Sequence, residues 1–114
     1  MLPRAARLRH GRDFRAVLRR GRRITRDPLV VVVLTDFVAA GGPRAGLVVS
    51  RKVGPAVVRN QVRRRLRAVL AARLPVLPAG SAVVVRALPA AAAATSAELG
   101  DRLDAAFQQL AAAA

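Results

Sequence analysis

The sequence predicts a mixed α+β domain on two observations. Three β-branched apolar runs, at about 29 to 37, 44 to 50 and 81 to 88, have the length and composition of strands. Around them lie three segments whose apolar residues recur at helical spacing: one ahead of the strands, one between the second and third, and one after the third. The 114 residues fit one domain, 1–114, with a modest core, and residues 1–10 and 111–114 are expected to be flexible.

In chain order, RDFRAVLRRG places Phe14, Val17 and Leu18 on one helical face and Arg12, Arg15, Arg19 and Arg20 on the other, with Gly21 as the stop. LVVVVL, from Leu29, follows Pro28 and runs into AAGGP at 39–43; RAGLVVS comes next. Five turn residues with two glycines predict that these two strands form a hairpin. Their continuous apolar pattern implies a sheet covered on both faces, or one whose second face forms a groove.

The helix predicted at 55–74 starts at Gly54 and Pro55 and ends before Pro75, Pro78 and Gly80. Val58, Val62, Leu66 and Val69 cluster on one side, and Arg59, Asn60, Arg63, Arg64 and Arg67 on the opposite side. Arg65 and Arg73 break this division, so their guanidinium groups are expected to snorkel outward. SAVVVRAL is a third strand, closed by Pro89. Thr95 with Glu98 is a capping-box pattern opening a last helix with the stripe Leu99, Leu103, Phe107, Leu110; Asp101 and Asp104 read as solvated positions.

Twenty Arg and one Lys against six acidic residues give a net charge of +15, and no Asp or Glu lies between Phe37 and Ala97. Such a stretch needs a polyanion as partner, and the patterning favours nucleic acid over an anionic membrane or an acidic protein. The apolar run Leu29 to Leu34 is far below the roughly 20 residues a membrane span needs. The Arg-rich start has the bias of a mitochondrial targeting segment, but Pro3, Gly11 and Asp13 interrupt it. With no Cys and His10 alone, neither a zinc site nor a nucleophilic triad assembles, so no protein cofactor, metal ligand or catalytic residue is expected.

Lys52-Val53-Gly54, Ala56-Val57-Val58-Arg59-Asn60 and Arg63-Arg64-Arg65-Leu66-Arg67 resemble the hallmark helix of the bacterial ribonuclease P protein family. LPRAARLRHGRDFRAVLRRG resembles that family's opening, and the likeness runs from Leu2 to about Leu110. It implies a two-layer α/β sandwich, ribosomal protein S5 domain 2-like, in the order α-β-β-α-β-α with a left-handed βαβ crossover, against the usual right-handed rule. It further implies that Arg59, Asn60, Arg63, Arg64 and Arg67 face a catalytic RNA subunit. A cleft on the sheet would then hold the single-stranded 5′ leader of precursor tRNA, with Phe14, Leu18, Ser50, Arg51, Lys52 and Arg86 along it. Leu18 stands where a second aromatic is common in the family, and the first predicted strand has no Tyr.

The activity implied is endonucleolytic removal of the leader to give the mature tRNA 5′ end. Catalysis would belong to the RNA, with Mg2+ in the RNA-containing holoenzyme. The partners implied are the RNA subunit and precursor tRNA, with no membrane and no obligate protein partner, in the cytoplasm. The alternative is a structural RNA binder such as a ribosomal protein, which charge and fold alone fit equally well. A DNA-binding helix-turn-helix fits poorly, because the basic helix sits between strands.

Overall fold

The computed structural model describes residues 2–112. It contains helix α1 (Gly11–Arg20), strands β1 (Arg22–Arg26), β2 (Leu29–Leu34) and β3 (Arg44–Val49), helix α2 (Ala56–Arg73), strand β4 (Ala82–Ala87) and helix α3 (Ser96–Ala112). The strands make one sheet in the order β1-β2-β4-β3. β2 is antiparallel to β1 and to β4, while β3 runs parallel to β4, to which it is joined through α2.

The hairpin expected between β2 and β3 does not form. β4 lies between them, and Ala82, Val83, Val84 and Val85 are all fully buried, so this strand requires neighbours on both edges and cover on both faces. The connection from β2 to β3 is correspondingly longer than a hairpin turn. It crosses the end of β4, where the Val38 N–H donates to the Gly80 carbonyl and the Gly80 N–H to the Gly41 carbonyl. The first predicted strand ends at Leu34 rather than about 37.

β1 is absent from the sequence expectation, so the order α-β-β-α-β-α becomes α-β-β-β-α-β-α. In RRITR only Ile24 is buried, which suits an edge strand and hides it from any search for apolar runs. A turn at Asp27–Pro28 returns the chain into β2 with Arg26 opposite Leu29.

Alternation along the strands sorts the sheet into two faces. Ile24, Leu29, Val31, Val33, Ala45, Val49, Val83 and Val85 pack with Val62, Leu66 and Leu70 of α2 and Leu99, Leu103 and Phe107 of α3. This is the two-layer sandwich. On the other face α1 lays Val17 against Val32, Leu34, Ala82 and Val84.

Ahead of α1, two residues of the 1–10 segment anchor it to the sheet, while Pro3, Arg4, Ala5, Arg9 and His10 are exposed. Leu2 and Leu8 are buried, and Arg7 bridges in parallel to Ala45 on the outer edge of β3. At the other end Ala111 and Ala112 continue α3, while Met1 and residues 113–114 lie outside the described residues.

Candidate nucleic-acid interface

α1 covers only part of its face of the sheet. Gly21 ends the helix in a tight turn, where an added Cβ would stand 2.6 Å from the Val17 carbonyl oxygen and 2.8 Å from Val32. At the other end of α1, the half-buried Phe14 lies over Gly46 on β3. The helix therefore crosses the strands and leaves one end of the sheet open.

That open floor is a row across all four strands: Thr25, Val30, Arg86 and Val48 pair in register from β1 to β3. Val30 and Val48 are half-buried, and Arg86 is exposed between them. No side-chain hydrogen bond or ion pair ties the Arg86 guanidinium to another of the described residues. Gly46, beneath Phe14, is two residues from Val48, so the ring borders the open row at roughly 7 Å along the strand. Ser50 continues beyond β3 in extended backbone, and Arg51 and Lys52 are exposed in the turn Arg51–Val53. Leu18 is exposed on α1.

The second cluster lies along α2. Asn60, Arg64 and Arg67 are exposed, whereas Arg59 and Arg63 are half-buried and held in place. Arg59 Nε donates to the Gly54 carbonyl at 3.2 Å, and Arg63 Nη1 donates to Asn60 Oδ1 at 3.0 Å. Each guanidinium has further N–H groups, and these are suited to phosphate oxygens. None of the five meets a carboxylate among the described residues.

Arg65 and Arg73 do not snorkel into solvent on this face: Arg65 turns towards the segment that leads into α3, and Arg73 towards α3 itself. Arg65 Nη1 donates to the Ala94 carbonyl at 3.3 Å. Arg73 Nε meets Asp104 Oδ1 at 2.8 Å, and its Nη1 donates to the Val69 carbonyl at 3.1 Å. Gly100 makes room for this arginine, since a Cβ there would stand 2.6 Å from Nη2. Asp104 is therefore an ion-pair partner rather than the plain solvated position expected.

The two clusters meet. Phe14 and Gly46 line one groove with Leu2, Leu8, Arg63 and Arg67, so the basic helix face continues around the edge of β3 into the cleft. Sequence reasoning kept these surfaces apart because periodicity orders residues within an element and says nothing of which elements adjoin. It also missed Arg23 and Thr25, which β1 brings to the cleft face opposite Val32 and Val30.

A sequence profile of the family described as Ribonuclease P matches residues 2–111. The chain belongs to the ribonuclease P protein family. It is 58% identical over 104 residues to the ribonuclease P protein component of Acidothermus cellulolyticus, covering 91% of this chain and 87% of that one. Its identity to the component from Streptomyces bikiniensis is 55% over 118 residues, covering 96% and 95%. Among solved structures, the RNase P protein of Staphylococcus aureus matches with a TM-score of 0.79 over 95% of this chain and 96% of its own. At 24% identity that likeness speaks for the fold alone. The RNase P protein from Thermotoga maritima matches with a TM-score of 0.77 at 25% identity, covering 90% and 96%.

The chain is thus the protein subunit of ribonuclease P, a tRNA-processing endoribonuclease and ribonucleoprotein, and an RNA subunit is its partner. Its surface suits that role: the ribonuclease P helix carries five aligned polar and basic side chains without a competing carboxylate. Among the described residues no helix is long and apolar enough to cross a membrane.

Proposed function

We propose that the RNA subunit performs the cleavage, while this chain docks on it through Arg59, Asn60, Arg63, Arg64 and Arg67 and holds the 5′ leader of precursor tRNA on the open face of its sheet. The observation that carries this reading is the groove in which Phe14 and Gly46 of the cleft adjoin Arg63 and Arg67 of α2. A strand of RNA lying on the sheet would pass directly from the cleft to the docking helix. Ser50, Arg51, Lys52 and Arg86 supply polar and cationic contacts along the way, and Phe14 and Leu18 supply apolar surface.

A cation groove holds single-stranded RNA by charge, with aromatic stacking as an added term. Among the described residues no three His, Cys, Asp or Glu side chains approach closely enough to hold a metal ion. We assign Mg2+ to the RNA of the holoenzyme, where it would activate water for phosphodiester hydrolysis. Work in the cytoplasm, without an obligate protein partner, completes this reading.

The test is reconstitution with ribonuclease P RNA at low magnesium, using precursor tRNA with a leader and mature tRNA. The protein should favour the precursor, and Phe14→Ala with Lys52→Ala should weaken precursor binding while mature tRNA is barely affected. An equal loss for both RNAs would place the leader elsewhere.

A further inference from the structure

Resting on the leader reading above, we infer that the RRGRR corner between α1 and β1 is a second RNA site, in which Arg19, Arg22 and Arg23 hold phosphates of the leader beyond the nucleotides lying on the sheet.

All three side chains are exposed, and none has a hydrogen-bond or ion-pair partner among the described residues. Arg20, the fourth arginine of the motif, differs: its Nη2 lies 3.5 Å from Asp36 Oδ2. The turn at Gly21 compresses the corner, because Val17, Val32 and Val33 leave no space for a side chain there. Arg19, in the last turn of α1, is therefore separated from the start of β1 only by Arg20 and Gly21. Arg22 and Arg23 point to opposite faces of that strand, which is the free edge of the sheet. Arg23 shares the cleft face with Arg86, and Arg22 borders Val33 and Phe107 on the other side.

The corner sits at the opposite edge of the sheet from β3, beside which the α2 cluster lies. Three strand spacings, roughly 14 Å, separate the two edges. An RNA strand leaving the α2 side and crossing the row of Val48, Arg86, Val30 and Thr25 emerges at β1, where three unpaired guanidinium groups wait. Clustered cations on an edge strand also serve to block strand addition by another chain. That role needs charge at the edge but predicts no dependence on RNA length.

The test uses the reconstituted holoenzyme and three RNAs: mature tRNA, a precursor with a leader of about two nucleotides, and one of about twelve, within the span that single-strand grooves track. Arg19→Gln, Arg22→Gln and Arg23→Gln combined should weaken the long-leader precursor about tenfold or more relative to the short one. The slope of log affinity against log salt should fall by about 2 for the long leader, at about 0.7 per phosphate contact. The corresponding triple Lys variant should retain most of that slope, and circular dichroism and sedimentation should show both variants folded and monodisperse. An equal effect on all three RNAs would assign the corner to the tRNA body or the RNA subunit and overturn the proposal. Self-association of the Gln variant with unchanged RNA affinity would leave the corner as edge protection and overturn it as well. Wild-type holoenzyme that binds long-leader precursor no better than mature tRNA would overturn the leader reading, and the corner assignment with it.

Discussion

The ring of Phe14 fills the space a side chain at position 46 would need: a Cβ on Gly46 would stand 2.5 Å from both Cε1 and Cζ. The missing side chain on an edge strand is what lets α1 settle onto the sheet and brings an aromatic ring to the border of the cleft. Gly46→Ala should cost about 1 to 3 kcal/mol by forcing ring or helix to move, measured by urea unfolding. It should also reduce binding of precursor tRNA more than that of mature tRNA. Full stability with unchanged precursor binding would show that the Phe14 position is not constrained by this contact.

The α2 surface gives a prediction of a different kind, because its side chains contribute little to the core. Replacing Arg59, Asn60 and Arg63 with Ala should weaken binding to the RNA subunit by about 1.5 to 3 kcal/mol for each charged hydrogen bond lost. The thermal midpoint should change little, since Val62, Leu66 and Leu70 carry the packing of this helix. Filter binding against the isolated RNA subunit, paired with a melt, separates the two effects. A large fall in melting temperature with unaltered affinity per folded molecule would reverse the assignment.

The division of α2 into an apolar and a basic face was legible in the sequence because one helix fixes its own periodicity. Strand pairing was less so. The glycine-rich turn before Arg44 suggested a hairpin, but the destination of β3 is decided by β4, whose four consecutive buried residues claim the centre of the sheet. β1 was hidden by its own composition, since a strand burying only Ile24 between arginines has no apolar run to find. The signal available was the β-branched pair Ile24-Thr25 ahead of Asp27-Pro28. Arg73 was recognisable as misplaced on α2, but its partner Asp104 lies 31 residues away, beyond the reach of any helical spacing.

The capping box at the start of α3 was legible and is formed. Glu98 accepts the Thr95 backbone N–H at 3.0 Å, while the Thr95 hydroxyl accepts the Glu98 N–H at 3.1 Å. The backbone N–H of Thr95, then its side chain, hold the Glu98 carboxyl below the ordinary glutamate range, and Arg102 adds to this. The folded pKa is lower than the unfolded one, so this contribution is complete above the unfolded value and is lost as pH falls through the folded value. The first turn of α3 should therefore loosen in acid and be insensitive to pH near neutrality. Thr95→Ala removes the hydroxyl but keeps the backbone N–H, so it should move the Glu98 titration part of the way back up, as followed by carboxyl chemical shift; an unmoved titration would mean that the Thr95 side chain does not hold the box in solution.

The placement of the acidic groups yields the last prediction: the polypeptide freed of RNA should not cleave precursor tRNA. Phosphodiester hydrolysis needs a group to generate the nucleophile and another to stabilise the leaving oxygen. Asp36 lies beside Arg20, Asp104 is bound by Arg73, and Glu98 is committed to the cap of α3. Asp27 is in the turn between β1 and β2, and Asp101 is exposed on α3. The nearest approach to an acid–base pair is His10 with Asp13, which share a hollow with Arg9 and Arg44 at the start of α1. The Asp13 backbone N–H donates to the His10 carbonyl at 3.0 Å, but among the described residues no hydrogen bond joins the imidazole to the Asp13 carboxylate, so the carboxylate does not orient the ring as a base. Nuclease-free protein should therefore leave precursor tRNA intact in magnesium, and adding ribonuclease P RNA should produce cleavage at the mature 5′ end. Site-specific maturation by the protein alone, surviving ribonuclease pretreatment and removal of that ribonuclease, would contradict the division of labour proposed. His10→Ala would then be the first variant to make, because His10 and Asp13 form the one histidine–carboxylate arrangement from which a base could be built.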